Sequence, residues 1–253
     1  MKLLNLNIRG IRKILFFLLF FTSLIISSQE QKEFLQLTGE NVSTQSITYS
    51  IEQDALGNVW IGSEEGVLKH NSKNFQVYNS YQGLPQNFSN RTSVVFIDSK
   101  GRIWAGFDQG VCLYNKDLDK FELIETEDEV NPSVVRAITE DENGQIWVGG
   151  HNGLWNINQN FKLNRVNSHK AIRSIYTIDD TVFFGALAGL FYFDKKELTT
   201  FEISSVKGQS VHSISKIDNA LYAGTANGNL YRSQEHTINF SRVAISNNLS
   251  HPI

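Results

Sequence analysis

One phrase recurs five times in this chain with the same glycine spacing, and a unit of that length leaves few folds open. In its clear copies it runs Asp54, Gly57, Trp60, Gly62, Gly66; Asp98, Gly101, Trp104, Gly106, Gly110; and Asp141, Gly144, Trp147, Gly149, Gly153. Two degenerate copies keep Asp179, Phe183, Gly185 and Gly189, and Asp218, Tyr222, Gly224 and Gly228. Each has an aromatic two residues before a glycine and a second glycine four residues after the first. The aromatic positions are 44, 43, 36 and 39 residues apart, a period that marks solenoids, propellers or arrays.

The pattern inside the unit decides among these. Residues 94–97, 102–105, 111–114 and 120–124 are short, β-branched or aromatic, and separated by Asp, Gly, Asn and Lys clusters, which is how strands read. No unit holds an amphipathic run of helix length. Four short antiparallel strands in about 40 residues make the blade of a β-propeller. The expected fold is therefore all-β, with five complete blades over residues 48–79, 92–124, 134–166, 171–203 and 210–245. Residues 33–38 read as an outer strand that closes the ring onto a blade from elsewhere. The tail from Ser246 resembles the loop into a sixth unit, so an incomplete ring is expected within a propeller domain spanning 29–253.

Residues 1–28 read as a secretory signal peptide: Lys2, Arg9, Arg12 and Lys13 precede a 13-residue apolar or small-residue run from Ile14 to Ile26, followed by Ser27-Ser28-Gln29. That run is shorter than the roughly 20 residues of a spanning helix, and no other segment is apolar enough to cross a membrane. Those 28 residues hold four of the 23 Lys and Arg and none of the 26 Asp and Glu, leaving the remainder at a net charge of −7. An acidic surface argues against nucleic acid or anionic lipid as partner. Cys112 is the only cysteine, so no internal disulfide forms. It falls where other units place Leu68, Trp155, Phe191 and Asn229, and reads as a small buried hydrophobe.

The Asp-x-x-Gly part punctuates the hairpin between the first two strands, with the glycine at positive φ and the aspartate bonding nearby backbone N–H groups. In the last two units the Asp-to-aromatic distance falls from six residues to four, which suits a tight two-residue turn at Asp179-Asp180 and Asp218-Asn219. The aromatics read as packing between neighbouring blades, and Gly62, Gly106, Gly149, Gly185 and Gly224 as letting adjacent sheets approach.

Asp54 to Leu68, Asp98 to Leu113 and Asp141 to Leu154, with Phe34-Leu-Gln-Leu-Thr38 and the loop Gly83-Leu-Pro85, resemble the two-component regulator propeller repeats. Across residues 33–253 the resemblance implies a seven-bladed ring and the periplasmic sensor region of hybrid regulators and sensor histidine kinases of Bacteroidetes-type bacteria. It implies an oligosaccharide or another small periplasmic ligand, and missing blades or a further propeller from a longer parent chain. The β-sandwich, membrane helix and cytoplasmic output module usual in that family have no counterpart in these residues.

The first functional expectation is thus an exported, periplasmic ligand-sensing or protein-docking propeller without catalysis, cofactor or metal. The alternatives are a propeller enzyme, of lyase or glycan-active type, and an envelope scaffold. Sialidase-type Ser-x-Asp-x-Gly-x-x-Trp boxes do not fit, because an extra residue separates Asp from Gly. The six histidines show no metal-ligand spacing. A ligand site is expected on the face that carries the turns between second and third strands, with Glu64, Asp108, His151, Asn152 and Asn227. A second column, at the start of each innermost strand, offers Tyr49, Ser93, Arg136, Arg173 and His212 toward the central funnel. The same positions also fit a solvated rim that holds no ligand.

Overall fold

The structure, a computed structural model, describes residues 46–127, 130–169, 171–234 and 238–244. The signal peptide and the ring-closing strand expected at 33–38 lie outside these residues. The described residues form five four-stranded antiparallel sheets, each a simple meander in chain order. Blade one is β1 (Thr48–Gln53), β2 (Val59–Ser63), β3 (Gly66–His70) and β4 (Phe75–Tyr78). Blade two is β5 (Thr92–Ile97), β6 (Ile103–Phe107), β7 (Gly110–Asn115) and β8 (Lys120–Leu123). Blade three is β9 (Ala137–Glu140), β10 (Ile146–Gly150), β11 (Gly153–Ile157) and β12 (Leu163–Asn167). Blade four is β13 (Ile172–Ile178), β14 (Thr181–Ala186), β15 (Gly189–Asp194) and β16 (Thr199–Glu202). Blade five is β17 (Val211–Ile217), β18 (Ala220–Thr225), β19 (Leu230–Ser233) and β20 (Phe240–Arg242). The one helical turn among the described residues is a 3₁₀ segment at Ser204–Val206.

The motif aspartate does two jobs. One carboxylate oxygen of Asp98 accepts from the backbone N–H groups of Lys100 and Arg102 at 3.0 and 2.9 Å, closing the turn over Gly101 at φ +72°. The other accepts from the Trp104 indole N–H at 2.8 Å. Asp54 with Trp60 and Asp141 with Trp147 repeat the arrangement, both at 3.0 Å. This explains the two degenerate units in physical terms: Phe183 has no N–H to satisfy and Tyr222 presents a hydroxyl elsewhere on its ring. The aspartate therefore moves into the turn itself, where Asp179 and Asp218 take positive φ between the paired ends of two-residue hairpins. The indole bond is the half of the motif that spacing alone did not disclose.

Four of the five aromatics meet a ring of the next blade as expected; the fifth, Tyr222, belongs to the last of the described blades. Ring centroids lie 4.9 Å apart for Trp60 and Tyr114, 5.7 Å for Trp104 and Phe161, 5.9 Å for Trp147 and Phe193, and 6.3 Å for Phe183 and Phe240. The core is accordingly a chain of clusters between blades. One gathers Trp104 and Val111 of blade two with Ile138, Ile146, Trp155 and Leu163 of blade three. The glycines set the approach: a Cβ on Gly106 would sit 2.5 Å from Val135 Cγ1 and 2.6 Å from Val94 Cγ1. Gly106→Ala is expected to cost about 1–3 kcal/mol by overpacking, read as a lower urea midpoint at unchanged m-value.

Blade five departs from the expected register. Gly224 pairs with Leu230, one residue later than Gly106 with Val111 or Gly62 with Val67. The turn there holds Ala226, Asn227 and Gly228, with Gly228 at φ +78°. The residue equivalent to Cys112, opposite Ala105, is Tyr231, opposite Ala223: the glycine spacing leads to Leu230, the shift adds one residue, and Asn229 is not the counterpart. Cys112 itself is fully buried, and burial pushes its thiol well above the ordinary range.

Candidate functional site

The inner ends of the blades are shaped by an irregularity. The first strands of successive blades neighbour one another, and four of them break register at the same place: between Thr48 and Ser50, Thr92 and Val94, Ile172 and Ser174, and Val211 and Ser213. The residue left out of the ladder is in each case Tyr49, Ser93, Arg173 or His212. A bulge re-aims the side chain it carries, which is how one column comes to differ from its small or apolar neighbours. In blade three Arg136 holds the equivalent place just ahead of β9, donating its backbone N–H to the Gly149 carbonyl at 2.9 Å.

These positions share a face with the turns between second and third strands. Backbone bonds stitch the two together: Val134 N–H to the Asp108 carbonyl at 2.9 Å, His151 N–H to Ser133 at 2.7 Å, and Ala171 N–H to His151 at 2.8 Å. Asn152 and Asn227 are used in that stitching. Asn152 accepts from the Ser133 N–H and donates to the Asn131 carbonyl, while Asn227 donates to the Gln209 side chain. His212 pairs with the Ser210 hydroxyl at 3.1 Å.

Tyr49, Glu64 and Asp108 are brought together by a residue that the sequence reading missed, Arg91. Its guanidinium lies 3.4 Å from the Glu64 carboxylate, 3.0 Å from that of Asp108 and 5.1 Å from the Tyr49 ring centroid, and Tyr49 donates its hydroxyl to Glu64. The bond to the Tyr49 hydroxyl and the two carboxylates hold Arg91 more firmly protonated than usual. Arg91 falls in the loop just before β5, one residue ahead of the repeat's own strand, so periodicity gives it no mark.

Arg136, Arg173 and His151 line a cavity of about 220 Å³ whose other walls are Val134, Ala171, Ile172 and Leu187. Burial, followed by the neighbouring charges of Arg91 and Arg173, lowers the Arg136 pKa. The Nε of Arg173 is shut off from solvent without a hydrogen-bond partner.

A larger cavity, about 530 Å³, opens between blades three and four and takes in Asp141 from the opposite, Asp-turn end of the strands. Most of its charge is paired within the cavity: Lys195 meets Asp141 at 3.1 Å and Asn164 donates to Asn156 at 3.2 Å, while the Nε of Arg165 is buried without a hydrogen-bond partner. The central-face cavity is lined by two arginines and a histidine with no carboxylate among them, and is the better candidate. Among the described residues no group of three or more His, Cys, Asp or Glu side chains is arranged to hold a metal.

Residues 41–65 and 129–152 match the family model of the two-component regulator propeller. No curated protein matches the sequence. Among solved structures, the extracellular domain of a hybrid two-component system from B. thetaiotaomicron aligns at TM-score 0.67 and 24% identity, over 85% of this chain and 30% of that one. A second such domain from the same organism gives 0.66 at 19% identity, over 83% and 31%. Virginiamycin B lyase from Staphylococcus aureus gives 0.63 at 19% identity, over 83% and 74%. The chain thus spans under a third of the length of the two sensor domains, and all three likenesses establish the propeller fold.

Proposed function

Because the chain carries two-component regulator propeller repeats, we propose that it is a ligand-receiving propeller from the sensory part of an exported signal-transduction protein, acting in the periplasm without chemistry of its own. The observation that carries this reading is the gathering of Tyr49, Glu64, Arg91, Asp108, Arg136 and Arg173 at one end of the inner strands, the last two lining a cavity there. Loops that project such side chains from a rigid ring are where propellers bind. The sensory context rests on the repeat match and on the extracellular sensor domains that share the fold. A small oligosaccharide is the ligand class that the family resemblance suggests.

The test is a blot of fractionated native cells with an antibody raised against residues 98–114. The expected band lies in the membrane and is several-fold heavier than the 28.7 kDa of this chain. A soluble band at or below that mass would remove the signalling reading and leave a free-standing binding protein.

A further inference from the structure

The central-face cavity is electrostatically one-sided. Of its seven lining residues three can carry positive charge, Arg136, Arg173 and His151, and none can carry negative charge. The nearby carboxylates do not make up the difference: Asp108 and Glu64 are both engaged by Arg91. Among the described residues neither Arg136 nor Arg173 has a carboxylate partner. The remaining walls are apolar and both arginines are half-buried, so solvent screens the two guanidiniums from each other less than it would on an open surface. Like charges held together in an apolar recess and left unpaired are costly. Such an arrangement is retained where something else supplies the counter-charge.

We propose that this cavity seats an anionic group, a carboxylate or a sulfate, of the molecule that the propeller senses; the proposal rests on the sensing reading above. Two guanidiniums present planar forks of N–H donors to an oxyanion, and the buried Nε of Arg173 is one donor still without an acceptor. Val134, Ala171, Ile172 and Leu187 would cover the carbon skeleton beside the charge. The lowered pKa of Arg136 fits a site that awaits a counter-ion. A volume of about 220 Å³ admits the charged group with the atoms next to it, and the rest of the ligand would extend along the face toward Arg91 and Tyr49. The net charge of −7 over residues 29–253 makes a nucleic-acid phosphate a poor occupant.

The experiment titrates sodium glucuronate and, separately, sodium sulfate against the wild-type chain at an ionic strength fixed with sodium chloride, with glucose as the neutral control. Thermal stabilisation and calorimetry are read together. At least one of the two anions is expected to give a saturable rise in Tm that glucose does not. Arg136→Gln/Arg173→Gln is expected to weaken that binding roughly tenfold or more, since a hydrogen bond to a charged group is worth about 1.5–3 kcal/mol. A response to glucuronate assigns a carboxylate, and a response to sulfate assigns a sulfate ester. Removing unpaired like charges should leave the unliganded Tm of this variant at or above that of wild type. If it fails to fold, Arg136→Lys/Arg173→Lys keeps the charge, loses the fork, and should bind several-fold more weakly. The proposal is overturned if neither anion acts beyond chloride, if glucose stabilises as much as glucuronate, or if the variant binds like wild type. None of these outcomes alters the band mass and fraction on which the sensing reading stands.

Discussion

Trp104→Ala is expected to lower the unfolding free energy by about 3–5 kcal/mol, the usual range for truncating a buried aromatic. Trp104 is fully buried in the cluster that joins blades two and three, with Ile138, Ile146, Trp155 and Leu163 around it and the Phe161 ring at 5.7 Å. The blades meet only through side chains and loops, so the cavity would lie in the contact that couples them and not inside one sheet. Stability in a repeated architecture is a sum of unit and neighbour terms. Weakening one neighbour term should therefore lower the urea midpoint and also separate the far-UV dichroism transition from the fluorescence of Trp60, Trp147 and Trp155. A single transition displaced by less than about 1 kcal/mol would show that the Trp104 contact does not hold these blades together.

The second large effect is at Asp98. Its side chain is buried and accepts four hydrogen bonds, from the N–H groups of Lys100 and Arg102, the Arg102 guanidinium at 2.6 Å and the Trp104 indole at 2.8 Å. Asp98→Ala should cost on the order of 2–4 kcal/mol, mostly from the stranded indole and turn amides, because the Arg102 partner is part-exposed and solvent already screens it. Asp98→Asn keeps acceptors for the turn and should cost less. A pH dependence follows. Burial is the largest single influence on Asp98 and on its counterparts Asp54 and Asp141 and works against their ionisation, yet the indole bonds from Trp104, Trp60 and Trp147 together with the turn N–H groups and neighbouring side chains outweigh it, and all three carboxyls titrate below the ordinary 3.8. Folded-state pKa values below the unfolded one mean stability that is present in full above about pH 4 and lost as pH falls through the lower folded values. Tm should thus drop steeply below pH 4 in the wild type and less steeply in Asp98→Ala. Parallel acid limbs in the two proteins would remove Asp98 from this account.

Much of the architecture was legible because it repeats. Asp54, Asp98 and Asp141 stand six residues before a tryptophan, and Asp179 and Asp218 four residues before Phe183 and Tyr222. That difference was visible, and it separated two hairpin types correctly. Its cause was not visible, because the indole bond spans the pleat and depends on side-chain direction. In blade five the glycine spacing is kept while the strand register is displaced by one residue. The period leads to Leu230, two residues after Gly228, where the structure has Tyr231, since a three-residue turn and a two-residue turn can carry the same pair of glycines; Asn229 is one place short of that count.

The candidate site was legible only as a column. Tyr49, Arg136 and Arg173 could be picked out as large polar side chains at equivalent positions, and Glu64, Asp108 and His151 as turn residues on the same face. Arg91 has no equivalent in the other units, and nothing in the period marks it. Its pairing with Glu64 and Asp108 decides which arginines are neutralised and which are not.

The sequence by itself determined the all-β character, the number of complete blades, the strand order within each and the residues that pack between them. All of these follow from local chemistry written five times: turn residues that permit one backbone geometry, aromatics at one depth, glycines at one point of contact. Only the tertiary structure decided the electrostatics of the central face. Charge balance there depends on how side chains from five segments, at Glu64, Arg91, Asp108, Arg136 and Arg173, meet on that face. Distances of that kind between residues far apart in the chain are set by the closure of one blade on the next.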